Sequence, residues 1–306
     1  MSGKNVTEVV LADAAGIARA AHILESGGLV AVPTETVYGL AARADSAEAV
    51  ARIYAAKGRP DFNPLIVHVA GLEQAEWLGT FSPAAKQLAA QHWPGPLTLV
   101  VPRRADASLA DAVTAGLPTV ALRAPAHPVM RALLAAVDFP IAAPSANRSG
   151  FISPTCAAHV LASLDGRIDL VLDGGACAAG LESTIVAVRG DGSIEELRPG
   201  PLAIGASAAA GGSIEAPGQL ASHYAPGKPV RLDATEAAPD EFWIGFGAIA
   251  GDCTLSASGD VNEAAARLYA CLHDAALAVQ PLIAVAPVPE EGVGRAVNDR
   301  LRRAAA

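Results

Sequence analysis

The sequence predicts an α/β protein, with a twisted mixed sheet in a larger first domain and a small α/β domain after it. Short runs rich in Val, Ile and Leu alternate with stretches of helical periodicity along most of the chain. The segment 184–198 reads as a hairpin turning at Gly190-Asp191-Gly192, which places an antiparallel pair in the sheet. At 205–218 the composition breaks into GASAAAGGSIEAPG, rich in small residues and without a periodic apolar face. These signals divide the chain into residues 1–205, a linker at 206–228 and a second domain at 229–306. A length of 306 residues also favours two domains over one.

Along the chain, Ile17, Ala20, Ala21 and Leu24 recur at helical spacing, and Gly27-Gly28 ends that helix. The run 29–32 is a buried strand stopped by Pro33. Asp45 with Glu48 resembles a capping box opening a helix through Ala56, closed by Gly58. Strands are predicted at 65–69, 97–101, 119–123, 168–172, 184–188 and 194–198, with helices near 83–92, 127–137 and 155–164. Beyond the linker, strands at 229–232, 242–248 and 282–286 alternate with helices at 261–276 and 293–304.

Composition narrows the function classes. Hydrophobic residues make up 52% and charged residues 17%, enough for a sizeable core and too apolar for a disordered chain. Aromatics are only 4%, so Ala, Val, Leu and Ile must fill that core. No run of 18 apolar residues occurs. The best early stretch, 9–24, is interrupted by Asp13, Arg19 and His22, so neither a membrane span nor a signal sequence is expected, and a cytoplasmic protein is. Net charge is −9, with 15 cations against 19 anions up to residue 205 and 7 against 12 beyond it. Neither part is the basic body of a dedicated nucleic-acid binder. Cys156, Cys177, Cys253 and Cys271 lie far apart without metal-ligand spacing, so buried free thiols are expected and structural zinc is not.

No phosphate-binding P-loop signature is present, and Gly245-Phe246-Gly247 reads as a tight turn better than as a dinucleotide loop. Several other segments could carry chemistry. The segment 33–40, PTETVYGL, follows a strand, where α/β folds line ligand crevices, though on this segment alone a hydrogen-bonded turn with Tyr38 in the core is the better reading. Lys57-Gly58-Arg59 supplies two cations at a helix end, and Pro60 and Pro64 stiffen the exit into the next strand. Such a pair suits a polyphosphate, or simply the helix dipole. His68 lies on a strand and could be a satisfied core histidine. Arg123 ends a strand among apolar neighbours and must have a carboxylate or phosphate partner, from a ligand or from the protein. The loop 142–150, APSANRSG after Ala142, offers small residues and directed donors for phosphate or purine. Glu182-Ser183 opens a strand, Arg198 closes the next, and the proline-framed His223-Tyr224 pair is out of character for a spacer.

In this order, the stretches PTETVYGL, RIYAAKGRPDFNPLIVHV, WPGPLTLV, LRAPAHP, APSANRSG, ESTIV, LRPGPL, HYAPGKPV and AVNDRL resemble the YrdC-type L-threonylcarbamoyladenylate synthases in their longer two-domain form. The resemblance spans essentially the whole chain. It implies a YrdC-like domain with a large cavity, a linker, and a small Rossmann-like domain; the proline-framed His223-Tyr224 pair suggests that the linker at 206–228 folds over the cavity and covers the active site. It also implies a reaction, in which L-threonine, bicarbonate or CO2 and ATP give threonylcarbamoyl-AMP and pyrophosphate for tRNA modification. Mg²⁺ is the expected counter-ion of the triphosphate, with no protein-held metal. Carried over by position, Thr36, His68, Arg123 and Ser183 form the threonine subsite. Lys57, Arg59, Asn63, Thr119, Ala143 through its backbone, Ser145, Ser153, Arg198 and Tyr224 form the ATP subsite, with Lys57 and Arg59 as the catalytic cations. The expected partner is a downstream tRNA threonylcarbamoyl transferase complex, with direct tRNA contact not required. Where the family linker often carries a more basic segment, this chain has Gln219-Leu220-Ala221-Ser222.

Such chemistry needs positioning and positive charge more than a strong base, so no catalytic triad is expected. Two rivals remain at this point. An RNA-binding module using the same cavity is disfavoured by the acidic balance. A carbamoyl-adenylate enzyme, as in hydrogenase-maturation proteins, would sit beside acyl-phosphatase and zinc segments that this chain lacks.

Overall fold

The computed structural model of the protein describes residues 6–60, 62–208, 214–219 and 222–306. The first part begins β1 (Glu8–Leu11), α1 (Ala14–Glu25), β2 (Val30–Val32), β3 (Gly39–Arg43), α2 (Ala47–Lys57) and β4 (Ile66–His68). It continues α3 (Leu72–Leu78), α4 (Pro83–His92), β5 (Leu97–Pro102), α5 (Asp111–Thr114), β6 (Thr119–Arg123) and α6 (Pro128–Ala136). Then come β7 (Ile141–Ala142), α7 (Ala157–Leu164), β8 (Leu170–Asp173), β9 (Thr184–Val188), β10 (Ile194–Arg198) and β11 (Ser207–Ala208). These strands form one mixed sheet in the order β1-β8-β2-β3-β7-β4-β6-β5-β9-β10-β11. The second part is β12 (Val230–Arg231), β13 (Glu241–Gly245), β14 (Cys253–Thr254), α8 (Val261–Leu277), β15 (Leu282–Val285) and α9 (Gly294–Ala304). Its sheet runs β12-β15-β13-β14, all parallel.

The predicted hairpin is present as the antiparallel β9–β10 pair. Strands β1, β3, β11 and β14 and helices α3 and α5 were not expected; all are short, and β11 lies in the stretch read as linker. The expected capping box at Asp45 is not formed. Ser46 caps α2 instead, accepting from the Ala49 N–H at 3.2 Å, because the Asp45 carboxylate is held bidentately by Arg43 at 2.7 and 2.8 Å. Gly58 does close α2, at a left-handed φ of 58° where a side chain would be strained.

One face of the large sheet packs Leu40, Val67, Leu99 and Leu122 against Ile53 and Leu88 of α2 and α4. The opposite face packs Val30, Val32 and Leu170 against Leu24 of α1 and Leu133 of α6. The second domain's core is not self-contained: Val37, Ile152 and Leu181 of the first domain belong to the same apolar cluster as Leu268, Leu272 and Val297. Burying side chains of this size stabilises by about 1.5–3 kcal/mol each, so the two parts are joined by more than a tether. The expectation of four free thiols is corrected. Cys253 on β14 and Cys271 on α8 are joined in a disulfide, while Cys156 and Cys177 are free. The pairing arises because α8 packs back over β14, which residue spacing does not reveal. Gly245 turns the chain tightly at the Phe246–Ile249 bridge, where a Cβ would lie 2.2 Å from the Ile249 carbonyl oxygen. Among the described residues, no helix is long and apolar enough to cross a membrane.

Candidate active site

The site grows from the carboxyl ends of β4 and β6. These strands are parallel with His68 opposite Arg123, so both side chains reach the same crevice. Ser183, just before β9, and Arg198, at the end of β10, form the adjoining wall. The β9–β10 register slips between Glu196 and Arg198, and such an irregularity re-aims a side chain. The Thr34–Val37 turn lies opposite. Thr34 Oγ1 accepts from the Thr36 and Val37 N–H groups at 3.1 and 3.2 Å, which holds Thr36 toward the crevice. Ala143 and Ser145 complete the floor, and Pro217, Gly218, His223 and Tyr224 from the linker close the roof.

Nine of the residues expected to bind substrate line one cavity: Thr36, Arg59, His68, Arg123, Ala143, Ser145, Ser183, Arg198 and Tyr224. Four do not. Lys57 lies behind the floor, fully buried, and its ammonium donates to the Ser145 and Asn147 carbonyls. Asn63 is buried beside Arg59, whose guanidinium donates to the carbonyls of Asn63 and Pro64. Ser153 donates to Glu182 at 2.5 Å, so its hydroxyl proton is engaged with protein. Thr119 starts β6, at the opposite end of the strand from Arg123.

Arg123 finds its anion within the protein. It donates to Glu35 at 2.5 Å, to Thr36 Oγ1 at 2.9 Å and to the Gly95 carbonyl at 3.2 Å. Glu35 also accepts the Ala126 and His127 N–H groups. Burial works to raise the Glu35 carboxyl, but Arg123 overcomes it and holds the group below the usual range. His68 is pushed down to about 3 by burial and then by Arg123, so it is a neutral imidazole, and its Nδ1 has no partner. His223 is likewise pushed down to about 3 by burial. Burial lowers Lys57 well below its ordinary value, with Arg59 adding to it, and brings Arg59 to about 10.

Sequence reasoning missed two carboxylates. Glu35 sits beside Thr36 in a segment already singled out, and the demand of Arg123 for an anion was the available signal. Glu182 is the one carboxylate in the described lining of the cavity, and nothing local marks its partners. The linker docks rather than floats. The Ala225 N–H donates to the Gly150 carbonyl at 2.8 Å and the His223 N–H to the Arg303 carbonyl at 3.1 Å. Tyr224 has a φ of 62°, unusual for a bulky side chain, and its buried hydroxyl has no partner. With the roof in place the free volume is about 50 Å³, room for roughly one or two waters. The expected large cavity is a small one here, with Pro217, Gly218, His223 and Tyr224 of the linker in its lining. Residues 209–213, Leu220 and Ala221 of the linker lie outside the described residues, as does Asp61.

Fold and site together define a two-domain α/β enzyme whose crevice gathers three arginines, hydroxyls and a neutral imidazole, suited to an anionic ligand. The family described as telomere recombination, which takes in Sua5, YciO and YrdC, matches residues 22–200, and the threonylcarbamoyl-AMP synthase C-terminal domain matches residues 192–306. The chain is 40% identical to the threonylcarbamoyl-AMP synthase of Bacillus subtilis, over 98% of this chain and 96% of that one. It is 39% identical to the Pyrococcus abyssi enzyme of the same name, over 93% and 92%. Pyrococcus abyssi Sua5, crystallised in complex with L-threonine, superposes with a TM-score of 0.87 at 36% identity, covering 98% of this chain and 97% of that one. Escherichia coli YciO shares the first-domain fold, at 20% identity and a TM-score of 0.55 over 63% of this chain. The chain belongs to the threonylcarbamoyl-AMP synthase family.

Proposed function

We infer that the protein is a nucleotidyltransferase that joins L-threonine, CO2 from bicarbonate, and ATP into threonylcarbamoyl-AMP, releasing pyrophosphate. The observation that carries this reading is the convergence of Arg123, His68, Thr36 and Ser183 with Arg59, Arg198, Ser145 and Tyr224 around one crevice, in a chain related to these synthases over nearly its full length. Arg123 would receive the threonine carboxylate. Its present partner, Glu35, keeps two backbone N–H donors when Arg123 turns to the ligand, so the exchange strands no buried charge. Neutral His68, with a free Nδ1, suits a hydrogen bond to threonine's polar groups rather than repulsion of its amine.

The threonine amine adds to CO2, forming a C–N bond and losing a proton. A carbamate oxygen then attacks the α-phosphorus, and the bond to the bridging oxygen breaks with pyrophosphate taking the electron pair. Arg59 and Arg198 line the same crevice and would offset the charge that builds on the phosphoryl oxygens. Lys57 would act from behind, fixing the Ser145–Asn147 backbone under the phosphates. Mg²⁺ would be held by the phosphates: the one carboxylate in the described lining, Glu182, is already bonded to protein donors. The roof of His223 and Tyr224 would open for ATP and reclose over the labile anhydride, excluding water. The product would pass, in the cytoplasm, to a transferase complex that modifies tRNA. Pyrophosphate release should require both L-threonine and bicarbonate. Release that runs equally well without threonine would sink the assignment.

A further inference from the structure

A buried polar cluster lies between the two domains, reaching from the cavity wall into the second. Glu182 of the first domain lines the cavity and is 6% exposed. It accepts from Ser153 Oγ at 2.5 Å, from the Tyr269 hydroxyl of α8 at 2.8 Å, and from Arg300 Nε of α9 at 3.1 Å. Arg300 is entirely buried, and its Nη1 also donates to the Pro199 carbonyl and to Asp299, both at 2.8 Å. A carboxylate in the wall of a crevice that takes a triphosphate is a liability, since it repels the ligand unless neutralised.

We propose that the C-terminal domain is a working part of the active site: Arg300, supported by Tyr269, neutralises Glu182 and fixes the Glu182–Ser183 wall, so that the first domain can accept an anionic nucleotide. Arg300 and Tyr269 are positioning residues, acting through Glu182 rather than touching substrate. Further contacts carry the idea. Ser183, next in the chain, receives Arg198 through its carbonyl at 2.9 Å and its Oγ at 3.1 Å, so displacement of Glu182 moves an arginine of the cavity wall. Arg198 in turn donates to the Pro217 carbonyl, reaching the roof. The Arg300 guanidinium lies 5.5 Å from the centre of the Tyr224 ring, and the Tyr269 ring 5.6 Å from it, so the same two residues back the linker's aromatic. Burial alone would raise Glu182, yet Arg300 and then Arg198 hold it down at about 2. Tyr269, Tyr224, His223, His273 and Asp299 are the other titratable groups that face this cluster, with Lys57, Arg59 and Arg198 as its further cations.

The inference rests on the proposed nucleotide reading, and the test separates the two. ATP affinity of the full-length protein is measured by calorimetry from pH 8 to pH 5, for wild type, Arg300→Met, Tyr269→Phe and the double variant Glu182→Gln/Arg300→Met. Wild type that binds no ATP would overturn the nucleotide reading itself. Arg300→Met should weaken ATP binding by roughly 30-fold or more at pH 8. Relative to wild type at the same pH, it should recover as pH falls, because an unpaired Glu182 takes up a proton and stops repelling the ligand. The double variant should regain most of the affinity and lose that pH dependence. If Arg300→Met is too unstable to purify, Tyr269→Phe should show the same pattern several-fold weaker. An affinity unchanged in either single variant, or a loss that the double variant does not repair, overturns the proposal.

Discussion

Two buried arginine–carboxylate pairs border the same crevice, and they are built differently. Arg123 and Glu35 both come from the first domain, and the Glu35 side chain is 16% exposed. Glu35 is partly open to solvent and keeps two backbone N–H donors, so this pair can part without leaving a bare buried charge. Arg300 and Glu182 come from different domains, with side chains 0% and 8% exposed. Buried pairs of that kind add little net stability but are costly to break from one side. The contrast separates a grip from a latch: the first pair is placed to exchange its anion for a ligand's, the second to stay closed. The second domain is held to the first by Val37, Ile152 and Leu181 as well, which share its apolar core.

The largest expected effect tests the grip. Arg123→Ala should reduce threonine use by about 2–5 kcal/mol, very roughly 30- to several-thousand-fold in kcat/KM, while ATP affinity changes little. Steady-state kinetics with each substrate varied decides it, and an unchanged threonine KM would make the pair purely structural. Tyr224→Phe probes the roof common to both pairs. Its hydroxyl has no partner in the closed form, and leaving one buried costs about 1–3 kcal/mol, so thermal stability should hold or rise. ATP binding should fall several-fold, and a drop in melting temperature without that loss would remove the hydroxyl from the ATP subsite.

Glu35→Gln should do less. Because Thr36 and Gly95 still hold Arg123, the threonine KM should move by less than about tenfold, in line with one hydrogen bond of about 0.5–1.5 kcal/mol. A larger change would mean that Glu35 itself touches the ligand. A last effect concerns acid. His68 and His223 are held near 3 against an ordinary 6.5, so the folded state binds fewer protons than the unfolded one. Their favourable contribution is complete above pH 6.5 and is lost progressively as pH falls toward 3. Glu182, near 2, contributes fully above about 4.5 and is unaffected at pH 5. A melting temperature that declines from pH 7 to pH 5 therefore reports the buried imidazoles, with His127, His159 and His273, also lowered by burial, adding to His68 and His223 while both ion pairs stay intact. A flat profile over that range would contradict their being buried and neutral.

Much of the molecule was set by sequence alone. The β4, β5, β6, β9 and β10 strands, the hairpin at 190–192 and the stop at Gly58 are local. They depend on β-branched runs, on turn chemistry and on a glycine tolerating positive φ, all readable within a few residues. The cations, hydroxyls and histidine of the crevice were legible for the same reason, as residue types repeated in family order at strand and helix ends. Which groups meet was decided only in three dimensions. Arg123 meets Glu35 across 88 residues and Arg300 meets Glu182 across 118, because sheet order and domain docking bring those ends together. Asp45 faced a choice between capping a helix and pairing with Arg43, and the geometry of the β3–α2 turn settled it. Cys253 and Cys271 met because α8 packs over β14. Propensity and periodicity act over a turn or a strand, whereas a buried charge must be neutralised by whatever the fold places beside it, however distant along the chain.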